Sequence, residues 1–256
     1  MKKDQYKLGL VSVSFRDLSP REILEGMKST ALTCIEWGSD VHAPCSDTER
    51  LYGIAALQTE YGITCSSYGT YFRLGQTPIE ELENYISAAK ILGTDILRLW
   101  CGTKSGSNMT DTERDTLVGE CRRTARIAEA HGVSLCMECH KKTFTESCND
   151  AVYLMNEVNS QHFKMYWQPF QWQSPAQNVN NAEKIAPYAE HIHVFNWRDD
   201  ANGVLQKYPL SDAVNDWRAY LEKFSGDRTL LLEFMPNGSI EELSSEAKAL
   251  ESIIGE

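Results

Sequence analysis

A single closed (β/α)8 barrel is the fold class this sequence predicts, and three observations predict it. The chain has 256 residues, a length that suits one barrel domain spanning residues 1–256 and supplies a large core. Short apolar runs alternate with amphipathic stretches eight times along it. No linker and no low-complexity segment divides it. Hydrophobic residues at 42% and charged residues at 24% mark a folded globular chain rather than a disordered one.

The apolar runs are KLGLVSVSF, CIEWG, TCSSYGTYF, DILRLWCG, VSLCMECHK, FKMYWQPF, HIHVFNW and RTLLLEFMP, and each reads as a strand. Stretches such as PREILEGMKS, TERLYGIAALQTEYG, IEELENYISAAKILG, TERDTLVGECRRTARIAEAHG and IEELSSEAKALESII read as helices between them. Ser19 before Pro20, and Thr77 before Pro78, pair a capping hydroxyl with a first-turn proline. Gly62, Gly93 and Gly132 stand where three helices should close. Strands alternating with helices make a parallel sheet, and eight units in one domain favour a closed barrel over an open sheet. The longest irregular stretch, residues 198–215, falls between the seventh strand and its helix.

The opening MKKDQYKLGLVSVSF reads as a first strand and not a signal peptide, because its apolar run is short and is broken by serines and Arg16. No stretch approaches the roughly 20 apolar residues of a membrane span. The eight cysteines are scattered; Cys136 and Cys139 come nearest to a pair. They read as reduced packing thiols of a cytoplasmic protein. A formal net charge of −11 repels phosphate backbones and counts against nucleic acid as a partner.

Strand parity locates the chemistry. In the fifth run Val133, Leu135 and Met137 share one face, while Ser134, Cys136, Glu138 and His140 share the other. In the seventh, Ile192 and Val194 oppose His191, His193 and Phe195. In the eighth, Leu230, Leu232 and Phe234 oppose Leu231, Glu233 and Met235. The greasy face meets the helices; the other points into the barrel and carries polar groups near the strand's end, where barrel active sites lie. Strands five to eight thus each deliver one donor to a common mouth: Glu138, Gln168, His193 and Glu233. Two carboxylates, an amide and an imidazole suit Mn²⁺, Mg²⁺, Co²⁺ or Zn²⁺. Singly, each has a commoner explanation as a salt-bridge partner or a satisfied core residue.

The segments IEWGSDVHAP, SYGTYFRLG, LRLWCG, LCMECHKKTFTES, YWQPFQW, HIHVFNW and LLLEFMP carry a resemblance over essentially the whole chain. The sequence resembles the xylose isomerase-like barrel family, which includes sugar-phosphate isomerases and epimerases, ketose 3-epimerases and repair enzymes of the endonuclease IV type. In that family a glutamate ends strand five, an acid usually ends strand six, a histidine lies in an HxH run on strand seven and a glutamate ends strand eight. Glu138, Gln168, His193 and Glu233 match these places, with Gln168 departing from the usual aspartate. An amide ligates through its carbonyl oxygen but brings no charge, so weaker metal affinity is expected. The resemblance implies isomerisation or epimerisation of a small sugar or sugar phosphate. Glu138 and Glu233 would act as catalytic proton carriers next to a carbonyl, through an enediolate that a divalent metal stabilises.

Around that core, His140, Glu36, Arg98, Trp100, Tyr68 and Arg198 are candidate substrate-binding residues. His140 has an equal claim as an orienting group, and Arg198 as a surface residue. Trp100 more commonly packs, and His42 reads as loop. Tyr68, Tyr71, Trp167, Trp172 and Trp197 predict an aromatic mouth, and Lys141 and Lys142 read as solvated. The expected partner is a small sugar or polyol, with no membrane and no nucleic acid; association into a homo-oligomer stays open. Competing readings are an inosose-type dehydratase and a non-catalytic sugar-binding barrel. An endonuclease IV-like nuclease is disfavoured, because strands three and four carry no histidine. No phosphate loop, nucleophile elbow or dinucleotide fingerprint is present.

Overall fold

The computed structural model describes residues 5–200, 202 and 204–255. Its strands are β1 (Tyr6–Val11), β2 (Cys34–Gly38), β3 (Thr64–Leu74), β4 (Ile96–Cys101), β5 (Ser134–Glu138), β6 (Phe163–Trp167), β7 (Ala189–Val194), β8 (Trp197–Asp199), β9 (Leu205–Lys207) and β10 (Arg228–Leu232). The helices are α1 (Pro20–Met27), α2 (Thr48–Tyr61), α3 (Leu82–Leu92), α4 (Asp111–His131), α5 (Cys148–Val158), α6 (Pro175–Ile185), α7 (Val214–Leu221) and α8 (Leu243–Ile254). Eight parallel strands close in the order β1–β10–β7–β6–β5–β4–β3–β2, the (β/α)8 barrel that the alternation predicts. β8 and β9 form a separate antiparallel hairpin.

Local chemistry explains most boundaries. Ser19 caps α1 in a reciprocal pair with Glu22, and Pro20 opens the first turn. Gly62, Gly93 and Gly132 end α2, α3 and α4 with φ of 68°, 84° and 65°, the left-handed turn that frees the last carbonyls to be capped. The Thr77–Pro78 signal works differently. α3 starts only at Leu82, after a short 3₁₀ turn, and the Thr77 hydroxyl accepts from the backbone N–H of Arg73 at 3.0 Å instead. The long irregular stretch contains the β8–β9 hairpin, whose three-residue strands are too brief to register as sequence alternation.

Apolar burial forms two layers. The larger packs outward strand residues such as Leu135, Met137, Ile192, Val194, Leu230 and Leu232 against the helices. A smaller plug of Val11, Val13, Cys34, Cys136, Tyr166 and Leu231 fills the barrel axis beneath the mouth. Parity therefore holds along β5 and β10, but it breaks just after Glu233. Phe234 has a φ of 51°, so the chain turns and Met235, not Phe234, joins the outer layer. The eight cysteines are free, and none is fully exposed. Among the described residues no helix is long and apolar enough to cross a membrane.

One buried acid outside the mouth has a stability consequence. Glu246 on α8 accepts from the Leu210 N–H at 3.1 Å, and burial pushes its pKa up to about 7. A carboxyl raised in the folded state stabilises fully below its unfolded pKa, and that stability is lost as pH rises through the folded value. Glu246→Gln, which keeps an acceptor without the charge, should melt a few degrees above wild type at about pH 8 and level with it at about pH 4. Equal offsets at both pH values in calorimetric melts would reject this assignment.

Candidate metal centre and active site

The barrel mouth is built in two tiers. In the lower tier Glu36 of β2 is fully buried, where Arg98 Nε reaches its Oε1 at 3.1 Å and the Ser67 hydroxyl donates to its Oε2 at 2.9 Å. Gly69 of β3 makes the room: a Cβ there would meet Glu36 Oε1 at 2.5 Å and Arg98 at 3.0 Å. The other end of Arg98 donates to Glu138 Oε2 at 2.7 Å, and Trp100 Nε1 donates to the same oxygen at 2.6 Å. Both Arg98 and Trp100 therefore grip one oxygen of Glu138 and leave Oε1 turned toward His193.

The upper tier gathers around His193 Nδ1. Gln168 Oε1 lies 2.9 Å from it, Glu233 Oε2 3.5 Å and Glu138 Oε1 3.9 Å. The Gln168 amide is oriented by its own Nε2, which donates to the Cys139 carbonyl at 2.9 Å. Glu36 Oε1 stands 3.8 Å behind the other ring nitrogen, Nε2. The four residues expected to share a site are thus brought together, and donor atoms of Glu138, His193 and Glu233 all lie within 4.8 Å of one another.

This set fits a divalent cation. Glu233 Oε2 is buried without a hydrogen-bond partner, 3.5 Å from His193 Nδ1. An orphaned carboxylate oxygen is expensive in an interior unless a cation answers it. Two carboxylates, an amide oxygen and an imidazole match a hard or borderline metal. Electrostatics separates the acids. Burial would raise Glu36 and Glu138, but Arg98 outweighs it and holds both below the ordinary carboxylate range. Burial pushes Glu233 up to about 7 against the opposing pull of His193 and Arg98, with Glu138 adding to the rise. Burial alone would lower His193, but Glu233, Glu36 and Glu138 raise it to about 9.

Above these residues lies a cavity of about 300 Å³. Arg98, Trp100 and His140 line it as expected, although the Arg98 guanidinium is committed to its two glutamates. His140 packs on Trp100 with ring centres 4.9 Å apart. Three expected substrate contacts are displaced. Glu36 is sealed beneath His193 and cannot reach the cavity. Tyr68 points outward, donating to the Ala43 carbonyl at 2.5 Å within the outer core. Arg198 leaves on the hairpin and sits over the Tyr208 ring. His42 lies in the loop after β2, as read, and is buried there 3.0 Å from the Ser12 hydroxyl. Of the predicted aromatics, Tyr71 and Trp197 line the cavity, Trp167 belongs to the outer core and Trp172 packs beside it. Lys141 is exposed, as read, and also lines the cavity, as do Arg16, Leu205 and Phe234. Strand parity could not find Phe234, because the left-handed turn that swings it inward leaves no apolar signature.

With this geometry in view, the match to known proteins becomes specific. A family model described as xylose isomerase-like TIM barrel matches residues 25–252. The chain belongs to that family. A 3-dehydroshikimate dehydratase of Bacillus anthracis is 24% identical over 119 residues, 46% of this chain and 42% of that protein, so the match spans less than half of that relative's length. The crystal structure of a probable 3-DHS dehydratase involved in petrobactin synthesis, also from Bacillus anthracis, has a TM-score of 0.81 at 19% identity, covering 95% of this chain and 98% of that one. An IolI protein with a bound zinc atom scores 0.77 at 16% identity, covering 97% and 98%. A D-psicose 3-epimerase in the presence of D-fructose scores 0.70 at 14% identity, covering 98% and 100%. At these identities the structural likeness establishes a shared fold.

Two outcomes follow from the site. Arg98→Met leaves two buried carboxylates without their cation and should cost about 3–5 kcal/mol of unfolding free energy; urea titration measures it, and a loss well under 1 kcal/mol would show that Glu36 and Glu138 do not depend on Arg98. Gln168→Asp adds charge beside the cation and should tighten Mn²⁺ binding by roughly tenfold in calorimetry. Gln168→Glu should gain less, because its second oxygen would face the Cys139 carbonyl where Nε2 now donates. If neither variant binds Mn²⁺ more tightly, Gln168 is not a ligand.

Proposed function

We propose that this protein is a divalent-metal-dependent isomerase or epimerase that moves a proton next to the carbonyl of a small sugar or related hydroxylated compound. The observation that carries the reading is the convergence of Glu138, Gln168, His193 and Glu233 at one cavity, with the two carboxylates on different strands. Arg98 and Trp100 grip one oxygen of Glu138, whereas Glu233 Oε2 has no hydrogen-bond partner. Two carboxyls beside one reacting carbon can serve in turn as base and acid. Glu138, Gln168, His193 and Glu233 would hold the cation, which when bound supplies Lewis-acid polarisation of the substrate carbonyl.

The chain's own groups then divide the work. A carboxylate oxygen facing the cavity accepts the proton from the carbon beside the carbonyl. The second carboxyl, reaching the substrate from a different strand, returns a proton. Return to the same carbon from the opposite face inverts it; return to the neighbouring carbon interconverts aldose and ketose. Trp100, Tyr71 and Phe234 supply ring faces for the C–H surface of a sugar, and His140 a polar edge for a hydroxyl. Arg98 holds Glu138 in place rather than touching substrate.

A second reading, loss of water after the same deprotonation, is favoured by the likeness to the Bacillus anthracis dehydratases. The two differ only after the proton has left: the hydroxyl on the next carbon either stays or departs.

Glu138→Gln and Glu233→Gln should each lower turnover by about 10²–10⁴-fold with the fold intact by circular dichroism. Wild-type, Mn²⁺-loaded protein screened by NMR in D₂O against ketoses, aldoses and keto-cyclitols should place deuterium at the reacting carbon of a turned-over compound. Product without deuterium would reject proton transfer in favour of hydride shift. An alkene carbon and loss of the hydroxyl would select dehydration.

A further inference from the structure

Basic side chains gather at the mouth of an acidic chain. The sequence carries a net −11, yet Arg16, Arg98 and Lys141 line the cavity against two carboxylates, Glu138 and Glu233. Arg98 is engaged by Glu36 and Glu138, and Arg16 by Asp40 and the Tyr71 hydroxyl. Two ammonium groups differ. Lys141 sits 4.7 Å from the centre of the Trp172 ring, and Lys207 sits 4.4 Å from the centre of Phe234 and 5.8 Å from that of Trp197. Among the described residues neither forms an ion pair.

Lys207 is held there by construction. It pairs with Trp197 across the β8–β9 hairpin, and the Trp197 ring stacks on Phe195 at 4.2 Å and packs against Phe234 at 5.1 Å. The left-handed turn at Phe234 is what swings that ring under the ammonium. Partial burial over these rings lowers the lysine's pKa, against the pull of Glu233. Lys207 is exposed at the rim, with Glu233 a carboxylate that acts on it; an ammonium held over aromatic faces beside a cavity is placed to meet an anion. A neutral sugar would offer it no charge, and a divalent cation would make the mouth more positive still.

We propose that the substrate carries an anionic group, a carboxylate or a phosphate, that docks on Lys207 beneath the β8–β9 hairpin, within the field of Lys141. This rests on the reading of the cavity as the place where a C–H proton is removed. Lys207 is then a specificity-determining residue: it selects charged hydroxylated carbonyl compounds and fixes which carbon lies between Glu138 and Glu233.

Calorimetry on Mn²⁺-loaded protein tests it with matched pairs, fructose against fructose 6-phosphate and myo-inositol against quinate. The anionic member of at least one pair should bind about tenfold or more tightly than its neutral partner at low ionic strength. That advantage should shrink with added salt, vanish in Lys207→Gln and survive in Lys207→Arg. The phosphate pair and the carboxylate pair separate the two sources of charge. Equal binding of neutral and charged members in both pairs would overturn the proposal, as would a Lys207→Gln variant that weakens both members alike. If selectivity for the anion holds but no compound exchanges a C–H proton in D₂O, the anion site stands and the deprotonation reading falls. If exchange occurs with neutral compounds bound as tightly as charged ones, the reverse is true.

Discussion

Three glutamates converge on the top of one barrel, and Arg98 is the cation that allows two of them to remain charged there. Its guanidinium spans from Glu36 to Glu138 in an interior where an unpaired carboxylate costs several kcal/mol. The fork geometry matters, because one planar side chain must serve two acids on different strands. Space matters as well, since only the missing Cβ of Gly69 lets the pair close. Glu233 makes no ion pair with Arg98, and burial raises its pKa despite the opposing pull of His193 and Arg98.

The imidazole between them is oriented from both sides. Gln168 and the two cavity-facing glutamates surround Nδ1, and Glu36 stands behind Nε2. A carboxylate behind a ligating histidine strengthens it as a donor and fixes the ring. Glu36 thus contributes to the site without touching the cavity. The neutral Gln168, in place of the acid usual in the family, lowers the negative charge around any cation. It also adds a donor that anchors it to the Cys139 carbonyl.

Rigid strands hold the donors, whereas the parts that would meet a substrate come from irregular backbone. Phe234 turns inward through a left-handed residue, and Trp197 and Leu205 arrive on a short hairpin. Loops carried on a rigid scaffold are where one fold takes on different chemistries.

By itself the sequence determined the barrel, its eight strand–helix units and the four side chains that meet at its mouth. Period-two parity along β5, β7 and β10 decides which side chains enter the barrel, and order along the chain decides which end they reach. Both are local properties of a regular strand. Tertiary structure alone decided the rest. It sealed Glu36 under His193, turned Tyr68 into the outer core, carried Arg198 away and brought Phe234, Arg16 and Lys207 to the cavity or its rim. These outcomes depend on contacts between residues far apart in the chain and on one left-handed φ, where strand parity ends. Depth is the deciding physical quantity: parity says that a side chain points inward, but only the closed barrel determines whether it meets substrate or lies a layer below it.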